Sequence, residues 1–490
     1  MAKITTIIDI GSNSMRMVVF AKTSRFAFHL INETKSKVKI SQDAYLNNGE
    51  LQTEPMNRAF NALKSFLNIA SNLKSRKILC VATSALRDAP NKNIFLNRVK
   101  KELKLNIKII DGQKEAYLGG VAASNLLFCK DDFFTIDIGG GSTEFALNQS
   151  NNITKTISLK IGTVRIQELF LNDGNIKDAK KYIISQLEIL DDNFQNISTC
   201  IGLGGSIRAL SRAIIKNTDY AFDALHGFTY DVKQNISLFN SIINVSSTKD
   251  LKTLGIRKDR YDTIIAGTLI FTTILEYLNI KKVITSGAGV REGLYLTDIL
   301  RTSNHKFPSN FNISVRSLLD RFTFDDKQTA YLGNNISKIF DILQPLHKLD
   351  DKYKSHLIIA AKLQQIGISL NYYKNTSHSA NYILNGLSYG FSHKSRILIA
   401  NIIRHSKNSL PNENDIEKYQ ELLPDLLILQ WLSFIHSLNK TLNLEFTREK
   451  YEYTLENNTL TIKSNNDLYL VKQDIDKLKK PIDFNMELKC

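Results

Sequence analysis

Two short glycine-rich segments, each led by an aspartate, carry the residue types that phosphate chemistry needs. They comprise Asp9, Ile10, Gly11, Ser12, Asn13 and Ser14 in the first segment, and Asp137, Ile138, Gly139, Gly140, Gly141, Ser142 and Thr143 in the second. Glycine lets backbone N–H groups crowd around an anion, and small hydroxyls add further donors. Each segment connects two apolar runs typical of β-strands. The pair therefore predicts two similar half-domains whose turns close on one phosphate chain.

A third glycine-rich turn contains Gly204, Gly205 and Ser206. It follows a short apolar run at residues 199–201 and precedes a helical pattern. Free N–H groups at a helix N-terminus form an anion site. A single glycine turn is a weak signal because most glycines only make turns, whereas three turns in the same strand context favour phosphate binding.

Carboxylates around these turns predict a cation site. Asp9 and Asp137 end equivalent strands, and Glu144 begins the strand that leaves the second turn, so its side chain can return towards Asp137. Mg²⁺ favours one or two carboxylates together with waters and phosphate oxygens. The alternative role for either aspartate is to accept a hydrogen bond from its own backbone in an Asx-turn.

Glu115 and Arg87 are candidates for activating water and for binding phosphate. Glu115 lies in the first turn of a predicted helix, where a carboxylate either favours the helix dipole or, with its pKa raised by burial, acts as a general base. Arg87 follows a predicted strand, where its guanidinium either makes a surface ion pair or clamps a phosphate with two hydrogen bonds. The residues alone leave both alternatives open.

Strand and helix patterns divide the chain into four predicted domains. Strand–helix units occupy residues 1–125 and restart in residues 126–301, where long helices are expected at 176–194 and 260–278. Residues 302–310 are polar and contain proline, which predicts a linker. Helical periodicity then covers residues 311–445. Alternating apolar residues in the last segment, 446–490, predict a small β-meander whose third strand contains Leu468 and Leu470.

The composition indicates an intracellular globular protein with a basic surface. Four cysteines (Cys80, Cys129, Cys200 and Cys490) show no CxxC spacing, which predicts reduced thiols in the cytoplasm. No apolar run is free enough of polar residues to predict a membrane span. The net charge is +16, and residues 352–410 hold eight Lys/Arg, four His and no carboxylate. This favours a polyanionic partner, although no motif for a specific nucleic acid is present.

Six motifs, in order across residues 3–300, resemble the exopolyphosphatase/guanosine pentaphosphate phosphatase family of the actin-like phosphotransferase superfamily. Besides the three turns above, they are Ala-Thr-Ser-Ala-Leu-Arg-Asp-Ala at 82–89, Gly-Gln-Lys-Glu-Ala at 112–116 and Ser-Gly-Ala-Gly-Val-Arg-Glu-Gly at 286–293. The resemblance implies an α/β fold of two actin-like (ribonuclease H-like) half-domains. An all-α HD-like domain and a small β-containing tail are expected to follow them.

The same resemblance implies an activity and residue roles. The family removes the terminal phosphate of inorganic polyphosphate or guanosine pentaphosphate with Mg²⁺. By correspondence, Glu115 is expected to activate water, and Arg87 to bind substrate phosphate. Asp137 and Glu144 are expected to serve metal binding and catalysis, with Asp9 as a further candidate metal ligand. A homodimer is the family-level expectation.

The C-terminal resemblance is thinner and leaves functional alternatives. Gln364 and Gln365 stand where HD-type domains carry a metal-binding His-Asp pair, so we expect that metal site to be degraded. One alternative function is an actin-like kinase or ATPase, against which the Glu115 and Arg87 motifs argue. The other is a non-catalytic polyphosphate or alarmone sensor, against which the complete set of catalytic carboxylates argues.

Overall fold

Helices flank two mixed β-sheets in the first of the two units into which the chain folds. The computed structural model describes residues 3–129, 131–323, 325–406 and 409–489. The first unit ends at Phe311 and the second begins at Asn312. Finer domain limits inside these units stay predictions, and Cys490 lies outside the described residues.

The first sheet belongs to the first half-domain and has the strand order β3-β2-β1-β4-β5. Its strands are β1 (Ile4–Ile10), β2 (Met15–Lys22), β3 (Phe28–Ser36), β4 (Lys77–Ala82) and β5 (Lys108–Ile109). Its helices are α1 (Thr53–Asn72), α2 (Ser84–Arg87), α3 (Lys92–Leu103) and α4 (Gly112–Leu126). β1, β2 and β3 form an antiparallel meander, and β4 pairs parallel with β1.

The second sheet repeats this arrangement with the order β10-β11-β9-β6-β7-β8. Its strands are β6 (Phe133–Ile138), β7 (Thr143–Gln149), β8 (Asn152–Leu159), β9 (Thr199–Leu203), β10 (Thr229–Asp231) and β11 (Lys282–Thr285). Its helices are α5 (Thr163–Leu169), α6 (Ile176–Leu187), α7 (Asp192–Gln195), α8 (Gly204–Asn217), α9 (Val232–Ile243), α10 (Thr248–Thr253), α11 (Ile264–Tyr277) and α12 (Val290–Ile299). β6, β7 and β8 are antiparallel neighbours, and β9 is parallel to β6. The predicted pair of actin-like half-domains is confirmed.

Two long helices predicted in the second half-domain are shorter than expected. The helix expected at 176–194 ends at Leu187, and a new one begins after Asp191, whose side chain accepts a hydrogen bond from the backbone N–H of Asn193. The helix expected at 260–278 begins only at Ile264, because residues 258–260 form a 3₁₀ turn. Polar residues that bond the backbone locally break a helical pattern that apolar spacing alone would continue.

The last helix of each half-domain packs against the other half-domain. α4 contacts α12 and the strands β6, β7 and β8, while α12 contacts β1. The cores of the two sheets are separate apolar clusters, of which the first includes Ile8 and the second Phe134. The crossing helices therefore bring Glu115, at the start of α4, beside the second sheet.

The second unit is helical and ends in a small sheet, as expected. Its helices are α13 (Ile313–Phe322), α14 (Asp326–Ile342), α15 (Gln344–His347), α16 (Lys352–Leu363), α17 (Asn375–Gly386), α18 (His393–Arg404), α19 (Glu413–Ile416), α20 (Leu426–Thr441) and α21 (Tyr469–Ile475). Its strands are β12 (Glu452–Glu456), β13 (Thr459–Lys463) and β14 (Asn485–Lys489). Among the described residues, no helix combines the length and hydropathy needed to cross a bilayer. Gln364 is buried at the C-terminal end of α16, and the loss of a metal site there stays a prediction.

The predicted β-meander in the tail is confirmed for its first two strands, which form the antiparallel pair β12 and β13, and wrong for its third. Residues around Leu470 form helix α21, and β14 returns parallel to β13. Leu468, Val471 and Ile475 are buried at helical spacing, whereas Leu470 is largely exposed. The apparent alternation of Leu468 and Leu470 was too short to distinguish the two periods, and a parallel return needs a crossover of this kind.

Candidate functional site

A polar cleft of about 140 Å³ lies where the β1–β2 turn, the β6–β7 turn and the N-terminus of α8 come together. Its walls include these predicted residues: Asp9, Gly11, Ser12, Asn13, Ser14, Glu115, Asp137, Gly139, Gly140, Gly204, Gly205 and Ser206. The hydroxyls of Ser12 and Ser84 lie 3.2 Å apart. The structure therefore brings together all three glycine turns that the sequence singled out.

The repeated hairpins place different charges at the same position. Asp9 of β1 lies opposite Arg16 of β2, and Asp137 of β6 lies opposite Glu144 of β7. Residues opposite one another in an antiparallel pair present side chains on one face. Thus the first turn pairs its aspartate with a cation, and the second turn pairs its aspartate with a carboxylate. The equal spacing from each aspartate was the sequence signal that could have found Arg16.

Glu115 is a buried carboxylate held by an arginine. It lies in the first turn of α4, a helix that Asp111 caps by accepting a hydrogen bond from the backbone N–H of Lys114. Nη1 of Arg87 donates to Oε2 of Glu115 at 3.0 Å, and its Nη2 reaches the Ser142 hydroxyl at 3.4 Å. Burial and the charge of Glu144 raise the pKa of Glu115 well above its ordinary value, while Arg87 opposes that rise. Arg87 therefore holds a buried carboxylate in place and limits the rise of its pKa.

Glu144 is close to the cleft, since a Cβ built on the lining residue Gly139 would lie 4.0 Å from its Oε2. The Ser158 hydroxyl donates to its Oε1 at 2.8 Å. Burial raises the pKa of Glu144 to about 7, with a contribution from Asp137, although hydrogen bonds from Ser142 and Ser158 lower it. Such a carboxylate changes charge near neutral pH, which suits a site that exchanges protons or cations.

The positive charges of nearby arginines act on both aspartates. Burial raises the pKa of Asp9 to about 6 and raises that of Asp137, while Arg16 and Arg291 lower both. Within the part of the chain that the structure describes, no set of three or more His, Cys, Asp or Glu side chains is placed to hold a metal ion. The metal site expected from Asp9, Asp137 and Glu144 stays a prediction.

Four arginines line the cleft, and sequence reasoning assigned a role to none of them. They are Arg16, Arg208, Arg260 and Arg291. Burial, reinforced by the other three guanidinium groups, lowers the pKa of Arg16 to about 10. Nη1 of Arg291 lies 2.8 Å from Oε1 of Glu33, and Arg208 donates to backbone carbonyls of Ser286 and Ala288. Cations that repel one another around a polar cavity favour a polyanionic ligand.

The first two residues of α8 are glycines at which an added Cβ would make very close contacts. Gly204 has φ +82°, and a Cβ there would lie 2.7 Å from Oδ1 of Asp137. A Cβ on Gly205 would lie 2.4 Å from Nη1 of Arg260. The N-terminus of α8 therefore touches a carboxylate on one side and a guanidinium on the other.

Residues 18–302, more than half of the sequence, match the family model for the Ppx/GppA phosphatase family. The chain belongs to the Ppx/GppA phosphatase family. Residues 312–478 match the model for domain III of the same phosphatases, which covers the helical unit and part of the tail. The family expected from the sequence motifs is confirmed.

Curated relatives of this Ppx/GppA chain carry two kinds of name. The chain is 24% identical over 411 residues to the guanosine-5'-triphosphate,3'-diphosphate pyrophosphatase of Photobacterium profundum, covering 82% of this chain and 80% of that protein. The protein of the same name from Aeromonas hydrophila is 26% identical over 416 residues, covering 83% and 81%. A bifunctional 3-dehydroquinate synthase/phosphatase of Fusobacterium nucleatum is 34% identical over 57% of this chain, which spans only 44% of that relative.

Solved Ppx/GppA structures share the fold of about three fifths of the chain. The Aquifex aeolicus member of the family has a TM-score of 0.52 at 27% identity, covering 62% of this chain and 99% of that one. An exopolyphosphatase from Cytophaga hutchinsonii has a TM-score of 0.55 at 21% identity, covering 61% and 98%, and supports the fold alone.

Proposed function

We propose that this protein is a phosphohydrolase that removes the terminal phosphate of inorganic polyphosphate, guanosine pentaphosphate or both. One observation carries the proposal: a buried glutamate paired with an arginine faces a cavity lined by three glycine turns and four arginines. This arrangement joins a general base to a polyanion site. Family membership and the names of the Photobacterium and Aeromonas relatives support the same reaction class.

The glycine turns would hold the terminal phosphate through backbone N–H groups and hydroxyls. Gly11, Ser12 and Asn13 act from one half-domain, and the turns at 139–142 and 204–206 from the other. Arg16, Arg208, Arg260 and Arg291 would bind the phosphates that follow the terminal one. Fixed cations and N–H donors stabilise the charge that develops on the transferred phosphoryl group, which supplies most of the catalysis in such reactions.

Glu115 would accept a proton from the attacking water. Burial strengthens this carboxylate as a base, and the hydrogen bond from Arg87 orients it and limits the rise of its pKa. The water oxygen then forms a bond to the terminal phosphorus opposite the leaving oxygen. The bridging bond breaks, inorganic phosphate leaves, and the shortened polyanion stays on the arginines.

The donor set fits one Mg²⁺ ion. Asp137 and Glu144 lie opposite each other on adjacent strands, and burial raises the pKa of both. Two carboxylates complemented by waters and phosphate oxygens are typical of Mg²⁺. These two residues, with help from Asp9, would hold the ion, which supplies charge neutralisation when bound.

Phosphate release by the purified protein tests this function. We would compare long-chain polyphosphate, guanosine pentaphosphate and ATP side by side, with and without Mg²⁺. Release from either of the first two supports the proposal and identifies the preferred substrate. Release from ATP alone would instead indicate an ATPase, and release from none would indicate a binding protein.

A further inference from the structure

Ion pairs tie the two half-domains together beside the cleft. Nζ of Lys37 lies 2.8 Å from Oδ2 of Asp262, and Nζ of Lys39 lies 3.1 Å from the same oxygen. Nζ of Lys35, near the end of β3, lies 3.3 Å from Oδ2 of Asp259. The three lysines belong to the first half-domain and the two aspartates to the second. We call these five residues the latch.

On the side of the first half-domain, the latch is connected to the first phosphate-binding turn. The backbone N–H of Lys39 donates to the carbonyl oxygen of Asn13 at 3.0 Å, and that of Ser41 donates to the carbonyl oxygen of Ser12 at 3.2 Å. The segment that carries the three lysines therefore holds the backbone of the turn through two hydrogen bonds. A displacement of the backbone at Lys39 would therefore also move Ser12 and Asn13.

On the side of the second half-domain, the latch surrounds Arg260. Asp259 and Asp262 flank this arginine in sequence, and the backbone N–H of Thr263 donates to the carbonyl oxygen of Arg260 at 3.0 Å. The guanidinium of Arg260 lies against Gly205 at the N-terminus of α8. The short segment that carries Arg260 is thus held by lysines of the opposite half-domain.

We propose that the latch positions Arg260 over the third glycine turn and keeps the cleft closed, with Lys37 and Asp262 as positioning residues. Both side chains are about one third exposed, at 33% and 32%. Exposed ion pairs are individually weak and are screened by salt, but several of them here share two carboxylates. Because each pair is weak and exposed, we expect the cleft to open readily between the half-domains, and we expect rising ionic strength to favour the open form. Any effect of the latch on the KM for substrate rests on the proposed function, whereas the ion pairs between the half-domains do not depend on it.

The test uses the full chain with the substitutions Asp262→Asn and Lys37→Met, singly and together. Glu276→Gln is the matched control, because it removes an exposed ion pair of 2.8 Å with Lys180 inside the second half-domain. Hydrogen exchange without substrate reports the latch itself. We expect faster exchange of the Lys39, Ser41 and Thr263 amides in the latch variants and no change there in the control.

Kinetics report the consequence for catalysis, on whichever of polyphosphate or guanosine pentaphosphate the wild type hydrolyses. We expect Asp262→Asn to raise KM about fivefold, to lower kcat less, and to weaken the salt dependence of KM. The double variant should be no worse than the poorer single one, because the two residues act on each other.

Three results would overturn the proposal. Exchange in Asp262→Asn that matches the control would show that the latch does not hold the segment. A lower KM in that variant would show that the aspartates compete with substrate for the lysines. Additive effects of the two substitutions would show that they act independently. A wild type without phosphatase activity would refute the proposed function, while the exchange experiment would still decide the latch.

Discussion

Replacing Glu144 by glutamine is expected to stabilise the protein at alkaline pH. Burial raises the pKa of this carboxyl from 4.5 to about 7 in the folded chain. A carboxyl with a raised folded-state pKa favours folding while it is protonated, and this contribution is lost as pH rises from the unfolded value through the folded one. Above pH 7 the folded protein carries a buried carboxylate that glutamine would remove.

The size of the effect follows from the pKa values. A shift from 4.5 to about 7 corresponds to about 3 kcal/mol at about 1.4 kcal/mol per pKa unit. Glutamine keeps an acceptor for the Ser158 hydroxyl, so the hydrogen bond of 2.8 Å can persist. Loss of the Glu144 charge also relieves Glu115, whose pKa that charge raises, so both effects have the same sign.

The assay is urea unfolding followed by circular dichroism, without divalent cations, at pH 4 and pH 8. We expect Glu144→Gln and wild type to differ little at pH 4, and the variant to be more stable by up to about 3 kcal/mol at pH 8. Glu50→Gln, at an exposed loop position, is the control. A stability difference that does not change with pH, or a variant less stable at pH 8, would refute the reasoning.

Three further substitutions test single contacts. Arg87→Met removes the cation that lowers the pKa of Glu115, so the acid limb of the kcat/KM pH profile should move to higher pH, with a smaller move in Arg87→Lys. An unmoved limb would contradict the pairing. Gly204→Ala should abolish most activity, because the added Cβ would lie against Asp137. Gly174→Ala is the control, since Gly174 also has a positive φ but an added Cβ would have no contact within 4 Å, so this substitution should lower stability alone. Equal losses of activity would contradict this. Asp137→Asn should remove the rise in melting temperature that Mg²⁺ causes in the wild type, and a retained rise would place the ion elsewhere.

Local sequence patterns predicted the repeated hairpins because their information lies within a few residues. The strand at Lys77–Ala82 has the bounds that its apolar pattern suggested. Asp137 and Glu144 face each other because the turn between them fixes the register of β6 and β7. Adjacent residues and one tight turn were enough for these predictions.

Contacts between distant segments were not predictable in this way. Arg260, whose guanidinium lies against Gly205, ends a 3₁₀ turn before α11, whereas apolar spacing predicted a helix that begins at this residue. The burial that raises the pKa of Glu115 depends on α4 crossing to the second sheet. In the tail, helix α21 was not predicted because Leu468 and Leu470 alone fit the period of a strand as well as that of a helix.

The most direct test of the proposed hydrolysis follows oxygen from water into product. Wild type and Glu115→Gln would be incubated with Mg²⁺ and the preferred polyphosphate or pentaphosphate substrate in ¹⁸O-labelled water. We expect one labelled oxygen in each phosphate that the wild type releases, and a rate at least about 100-fold lower for the variant. Release of unlabelled phosphate, or a variant within a few-fold of wild type, would contradict water activation by Glu115.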